Sequence, residues 1–350
     1  MPDILLTCNP GTEDIVLDEA REKIGARPVE IREKHGRLIV ETSMDNTLLV
    51  EKIYEMRTIH YAGILLSSGK ITSKKQGLEE IRKLVRDAAP DHFMTEYSAY
   101  AVRSVREGKH DFTSMDISRV VGDEIGKILE NTGIKPYVRL GSPTTLFRAD
   151  LIEDNFYLTL SLTGDQSRHI RGLRLFDHPA ALKSSLAAVM LRIAGYRDKE
   201  RLIDPMCGSG TIAIEASLTT VEGDIHCNDK SPRHIKSARR NALAAGVSQR
   251  ITFTVSDAIE LLSKNGEYDV IVSNPPYGIR LGDPRTVRQL YERFAEVLQP
   301  SLSLDGRAVI ITTEHRTLEK ASSRVGLKIM EKRVVRHGDL WVKILVLTRD

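Results

Sequence analysis

The sequence predicts an α/β protein whose C-terminal half is a doubly wound, mainly parallel sheet, preceded by smaller α/β units. Three observations carry that prediction. From Arg201 onward, short apolar runs alternate with amphipathic stretches, the pattern of parallel strands joined by crossover helices. Three successive runs end in an acid, at Asp204, Asp229 and Asp257. A fourth, Tyr268-Asp269-Val270-Ile271-Val272, leads into Ser273-Asn274-Pro275-Pro276-Tyr277-Gly278, where two prolines stop the strand. The carboxyl edge of such a sheet is where ligands bind.

Composition bounds the rest. A chain of 350 residues has room for two or three domains, and 41% hydrophobic with 28% charged residues is a globular balance. Its 51 basic and 48 acidic residues leave a net charge of only +3, so a polyanionic partner must be met by local basic patches. Cys8, Cys207 and Cys227 are scattered, without a CxxC pair or His/Cys cluster. Neither a metal site nor a disulfide framework is expected. No apolar run approaches a membrane span, and the N-terminus lacks a signal peptide's basic and apolar regions. The expected location is the reducing cytoplasm, and the expected state a monomer.

The elements follow in order. Residues 1–70 read as a first unit, with a strand at Asp3–Thr7 and a helix carrying Ile15, Val16 and Ala20. A strand at Leu38–Glu41, a helix from Asn46 to about Met56 capped by Asp45, and a strand at Ile59–Ser67 complete it. Residues 71–165 read as a second unit. It has helices at Leu78–Ala89 and about Met115–Glu130 and strands at Tyr97–Arg103, Tyr137–Leu140, Leu146–Leu151 and Asn155–Leu162. Before its second helix, Arg103, Arg106 and Lys109 surround Gly108, close to Phe112. A helix N-terminus flanked by cations suits phosphate, although a solvated turn capped by Thr113 or Ser114 has the same composition. Residues 166–177 read as a linker, in which Arg168, Arg171 and Arg174 suit an RNA backbone or simply solvent.

Residues 178–350 form the last unit. Pro179 opens a helix, with Asp177 or His178 as its cap, that ends at Gly195. Strands at Leu202-Ile203, Asp224–Asp229, a run starting at Ile251, Tyr268–Val272 and Arg307–Thr313 are separated by helices from Ile212, Pro232 and Val287. A hairpin closes the chain, Lys328–Arg336 against Leu340–Leu347 around His337-Gly338-Asp339.

The turn Asp204-Pro205-Met206-Cys207-Gly208-Ser209-Gly210-Thr211 matches neither the dinucleotide G-x-G-x-x-G nor a P-loop. An acid at its start repels phosphate and suits a cation, such as the amino group or sulfonium of S-adenosylmethionine. Asp229, some 20 residues on and followed by Lys230, is placed for ribose hydroxyls. Asp257 and Ala258 are placed for an adenine. The cofactor set is therefore Asp204, Met206, Cys207, Gly208, Ser209, Gly210, Thr211, Asp229, Lys230, Asp257, Ala258 and Asn274.

Asn274-Pro275-Pro276-Tyr277 suits attack by an exocyclic amino group. That nitrogen's lone pair is delocalised into the base. Two fixed acceptors, the Asn274 side-chain oxygen and the Pro275 carbonyl, would each take one N–H and free the lone pair. Pro276 stiffens the corner, and Tyr277 could stack on the base. Arg280, in the loop that follows, is a candidate RNA contact.

On these residues the C-terminal half resembles a class I, Rossmann-like S-adenosylmethionine-dependent methyltransferase with a seven-stranded sheet. Val102 through Asp116, with Val138-Arg139-Leu140-Gly141-Ser142-Pro143, resembles a THUMP domain, and residues 1–70 resemble the ferredoxin-like domain that precedes it. Nearly the whole chain is similar to the THUMP-containing tRNA (guanine-N2)-methyltransferases of archaea and bacteria. The resemblance implies methylation of guanine 6 in the acceptor stem, with the tRNA acceptor region as partner. The branch acting on guanine 10 usually has Asp where Asn274 stands, and a large-subunit rRNA branch has a longer fused architecture. The resemblance also implies that His178 covers the cofactor pocket. Two other classes stay open: a catalytically inactive THUMP-type RNA-binding protein, and a methyltransferase of DNA adenine or protein glutamine.

Overall fold

The computed structural model describes residues 3–135, 137–168, 182–264, 266–277 and 284–349. The chain divides into two compact units, residues 1–7 with 17–168 and residues 8–16 with 169–350. No described helix is long and apolar enough to cross a membrane.

The first unit is built on one mixed sheet. Its elements are β1 (Asp3–Thr7), the latter part of α1 (Glu13–Ile24), β2 (Arg27–Arg32), β3 (Arg37–Glu41), α2 (Asn46–Glu55), β4 (Tyr61–Lys70), α3 (Gly77–Asp87), β5 (Tyr100–Glu107), α4 (Ser114–Asn131), β6 (Thr145–Ile152) and β7 (Asn155–Ser161). The strand order is β2-β3-β1-β4-β7-β6-β5. β4 pairs with β7 from Gly63↔Ser161 to Lys70↔Asn155, so the sheet runs unbroken across the position-70 boundary read from the sequence. Asp45 caps α2 by accepting from the Thr47 amide at 2.9 Å. Thr113 and Asp116 form a capping box on α4, which settles the cap on Thr113 and not Ser114. Tyr137–Leu140 is not a strand: only Val138 bridges to Tyr100, and Tyr137, Val138 and Leu140 are exposed, so no buried face holds the segment to the sheet.

The second unit contains α5 (Ser184–Ile193), β8 (Arg201–Asp204), α6 (Thr211–Thr219), β9 (Asp224–Asp229), α7 (Pro232–Ala244), β10 (Ile251–Val255), α8 (Ala258–Lys264), β11 (Tyr268–Ser273), α9 (Pro284–Ser301), β12 (Leu302–Thr312), α10 (His315–Arg324), β13 (Leu327–His337) and β14 (Leu340–Arg349). Its sheet runs β10-β9-β8-β11-β12-β14-β13; the first five strands are parallel, β14 runs antiparallel to them, and β13 pairs antiparallel with β14. Both faces are covered. Val270 and Val272 join a core with Leu186, Ile212 and Ala238, whereas Ile271 joins one with Tyr291, Phe294 and Leu318. α5 begins at Ser184, later than expected from Pro179, because Lys183 is extended (φ −63°, ψ 140°) and cannot continue a helix toward the N-terminus.

Two further features depart from the sequence reading. Residues 8–16 belong to the second unit. The Arg336 amide donates to the Pro10 carbonyl at 2.9 Å, Asn9 Nδ2 donates to the Arg336 carbonyl at 3.0 Å, and Arg333 grips Asp14 at 2.5 and 2.8 Å. Gly11 (φ +92°) sits so close to β13 that a Cβ would lie 2.1 Å from the Val334 carbonyl oxygen. The second departure is a disulfide between Cys207 and Cys227, with Cα atoms 5.6 Å apart, where scattered cysteines had suggested none. Parallel pairing explains it: Asp204 lies opposite Cys227, so the turn after β8 begins beside β9.

Candidate cofactor and catalytic site

The strand order brings the predicted strand ends to one sheet edge. β10, β9, β8 and β11 are neighbours, so Asp257, Asp229, Asp204 and Asn274 emerge side by side. Their turns are tied together by hydrogen bonds. Asn228 Nδ2 donates at 3.0 Å to both the Pro205 and the Ser256 carbonyls, bridging the turns after β8 and β10. The Cys207 amide donates to the Asn228 carbonyl at 2.8 Å. The Gly208 amide donates to Asp229 Oδ2 at 2.9 Å.

Asp204 is buried. Ser273 Oγ donates to its Oδ1 at 2.8 Å, and the Met206 amide does so at 3.2 Å. Burial pushes its pKa up to about 7, the hydrogen bonds from Ser273 and Met206 oppose the rise, and the nearby charge of Asp229 adds to it. A buried carboxyl in this state is stabilised in its ionised form by an incoming cation. Asp229 Oδ1 accepts from the Ser231 amide at 2.9 Å and meets His234 Nδ1 at 3.1 Å. A carboxylate has about four acceptor positions, so capacity remains for a ligand hydroxyl. Asp257 is exposed, and its Oδ1 accepts from the Ile259 amide at 2.9 Å, which anchors the start of α8; Ala258 beside it is buried.

Gly208 (φ +54°) has no atom within 4 Å of where a Cβ would stand, leaving open space for close approach to the backbone. Gly210 serves packing instead, its Cβ position lying 2.9 Å from the Ala238 Cβ. Ser209 and Thr211 are buried at the head of α6, Met206 is half-buried, and Lys230 is exposed. An acid ready to take a cation, a hydroxyl-accepting carboxylate and an open glycine backbone together fit S-adenosylmethionine.

At the next strand end, Pro275 is buried and Asn274 half-buried. Asn274 Oδ1 is buried with no hydrogen-bond partner among the described residues. A buried acceptor without a donor is costly, which points to a donor supplied by a ligand. Pro276 is half-buried. Tyr277 packs on the core and meets His337 edge-on, centroids 6.3 Å apart, with its hydroxyl 3.4 Å from Nδ1. Burial raises the Tyr277 pKa, so its hydroxyl stays protonated.

The predicted RNA-binding cations divide. Arg103 is engaged within the first unit, pairing with Asp165 at 2.7 Å and donating to the Leu140 carbonyl at 2.6 Å. Arg106 donates to the Gly108 carbonyl at 2.8 Å. Arg168 lies over the Tyr54 ring, 4.5 Å from its centroid, and donates to the Tyr54 carbonyl at 2.6 Å. Lys109 is exposed and lines a cleft of about 610 Å³ with Lys70, Ser73 and His110. His178, Arg171, Arg174 and Arg280 lie outside the described residues. Sequence reasoning missed Ser273, Asn228, His234 and His337. Only Ser273 carried a signal, since a serine directly before Asn274 shares its strand end.

Known proteins match this arrangement. A family model described as an RMKL-like methyltransferase domain matches residues 171–343, and a THUMP domain matches residues 75–161. A protein of Archaeoglobus fulgidus named tRNA (guanine(6)-N2)-methyltransferase is 35% identical, over 97% of this chain and 90% of its own length. The chain belongs to the tRNA (guanine(6)-N2)-methyltransferase family. A family member from Methanocaldococcus jannaschii is 32% identical over 99% of this chain and 100% of its own. The crystal structure of TrmN from Thermus thermophilus superposes with a TM-score of 0.82 at 26% identity, covering 100% of both chains. The second unit is thus a Rossmann-like methyltransferase, and the first contains the THUMP domain.

Proposed function

We propose that the protein transfers a methyl group from S-adenosylmethionine to N2 of a guanosine in tRNA, at guanine 6 of the acceptor stem, in the cytoplasm. The observation that carries this reading is the buried Asn274 Oδ1 at the end of β11, without a hydrogen-bond partner among the described residues, at the sheet edge that also carries the acids of β8 and β9. The relatives' names supply the substrate.

When bound, S-adenosylmethionine would supply an activated methyl group on a sulfonium. Asp204, Asp229 and the Gly208 backbone would hold it at the sheet edge, with Asp257 and Ala258 on its adenine side. The target guanosine leaves the stem, because its N2 is inaccessible while stacked. Asn274 Oδ1 accepts one N2 proton and the Pro275 carbonyl the other. The nitrogen then pyramidalises and its lone pair becomes available for the methyl carbon. Tyr277, braced by His337, offers its ring to the base. The bound donor would give up its methyl carbon to that lone pair with the sulfur as leaving group, and the methylated nitrogen, held by Asn274 and Pro275, would lose one proton to water. The THUMP domain and the 166–177 linker hold the acceptor region.

The test is nucleoside mass spectrometry of unmodified tRNA transcripts incubated with the protein and labelled S-adenosylmethionine. N2-methylguanosine mapped to position 6 is expected. The same nucleoside at position 10 would keep the chemistry and change the target, and label in DNA or in a protein amide, with none in tRNA, would overturn the reading.

A further inference from the structure

A second site lies one strand from Asn274. Ser273 pairs in register with Ile310, so the chain leaving β12 starts from the same sheet edge as Asn274-Pro275-Pro276-Tyr277. Neighbouring strands are about 4.8 Å apart. There α10 packs on α9, and Tyr291 of α9 is bonded to Thr312 at 2.6 Å, which fixes the helix against the strand end. An open cleft of about 540 Å³ lies between them, lined by Arg288, Glu292, Glu314, His315, Arg316 and Lys320.

The charges in this cleft are not used by the fold. Arg288, Arg316 and Lys320 are exposed and have no hydrogen bond or ion pair among the described residues. Arg316 and Lys320, four apart on α10, share a face. The two carboxylates present form no ion pair with them among the described residues and leave the lining one positive charge in excess: Glu314 accepts from Thr317 Oγ1 at 3.2 Å, and Glu292 is exposed. Other arginines of this unit are spent internally, Arg307 on Glu200 at 2.6 Å and Arg333 on Asp14, so the cleft cations differ from these in being left for a ligand. Three unspent cations converging on one cleft are the footprint of an anionic ligand.

We infer that this cleft binds a phosphodiester of the tRNA strand next to the target guanosine. The inference rests on the reading of the protein as a tRNA methyltransferase. Each nucleoside carries a phosphate on either side, so a base delivered to Asn274 brings its flanking phosphates along the same sheet edge. Arg288, with its planar fork, and the Arg316–Lys320 pair take that backbone. The contact is sequence-independent and acts on tRNA affinity, not on the methyl donor.

The experiment compares the full chain with an Arg316→Gln, Lys320→Gln double variant and with Arg288→Gln. Arg324→Gln is the control, an exposed cation on the same helix outside the cleft. Filter binding to unmodified tRNA is measured across a salt series, and S-adenosylmethionine binding by calorimetry. The double variant is expected to raise the Kd for tRNA about tenfold near 0.1 M salt and to lower the salt slope by about 1 to 2. Arg288→Gln is expected to raise it about threefold, with donor affinity and kcat at saturating tRNA within twofold throughout. An unchanged tRNA Kd and slope in both cleft variants, with the wild type still methylating tRNA, overturns the inference alone. An equal loss in Arg324→Gln also overturns it, since the effect would be general charge. A wild-type chain that neither binds nor methylates tRNA overturns the functional reading, and this inference with it.

Discussion

Asn274 and Asp204 are separable by the quantity each controls. In the proposed mechanism Asn274 Oδ1 contributes where the amino group changes geometry, so Asn274→Ala should lower kcat by on the order of 10²- to 10³-fold, the loss seen when one preorganised transition-state contact is removed. Donor binding should change only a few-fold, and a variant retaining half the wild-type rate would remove Asn274 from the chemistry. In the proposed site, Asp204 makes donor binding depend on pH. Its folded pKa is about 7, well above its ordinary value, and a cationic ligand binds the ionised form. Below pH 7 binding must first displace a proton, so affinity for S-adenosylmethionine should weaken about tenfold per pH unit and level off above pH 7. Calorimetry from pH 5.5 to 8.5 reads this directly, and Asp204→Asn should flatten the profile at weak affinity. The cofactor-free protein should show the opposite sign. Ionising a buried Asp204 costs stability as pH rises from about 4 to about 7, so Asp204→Asn should raise the thermal midpoint at pH 8 but not at pH 4.5.

At the scale of elements, the sequence was most legible where burial is simple. β9 is buried from Ile225 to Asp229 and β11 everywhere but Asp269, and their ends fall where the sequence places them, within one residue for β11. β2, α8 and α10 were not anticipated. α10 buries only Leu318, Ala321 and Ser322 of its ten residues, and that narrow face has meaning only once α9 is beside it. The strand-end acids and Asn274 were legible because a local run and one chemical group define each. Asn228, which bridges two turns, and the Cys207–Cys227 bond were not, since their partners lie 20 or more residues away. That bond closes a loop with a sequence separation of 20, which the chain-entropy account values at about 3 kcal/mol. A reductant should therefore lower the unfolding midpoint of the second unit, a Cys227→Ser chain should no longer respond, and a wild type indifferent to reductant would show that the bond does not stabilise it. Because Cys207 lies in the turn beside Asp229, reduction should also weaken donor binding a few-fold.

At the scale of the molecule, no single cut separates the two units. The second unit recruits residues 8–16, whereas residues 1–7 and 17–168 belong to the first. The ion pair of Asp14 with Arg333 adds at most about 1 kcal/mol, because the Asp14 side chain is 59% exposed. The larger contribution is the set of hydrogen bonds from the Arg336 amide to Pro10, from Asn9 to the Arg336 carbonyl and from Ser185 to Asn9, each worth about 1 kcal/mol net, together with the packing of Ile15 on the core. Removing the segment also leaves the buried Ser185 hydroxyl and the β13 edge without these partners. A chain beginning at residue 169 should therefore unfold at a clearly lower temperature than the same unit in the full protein. In the full chain, Gly11→Ala should reproduce part of that loss, since φ +92° and a contact at 2.1 Å exclude a side chain there. Calorimetry of the three chains decides: if the truncated chain kept the midpoint of the full protein's second unit, residues 8–16 would be passengers. If both variants fall, the start of the sequence is a working part of the methyltransferase unit. His337, one residue beyond the Arg336 that they hold, braces Tyr277, so Gly11→Ala should then also lower kcat more than donor affinity.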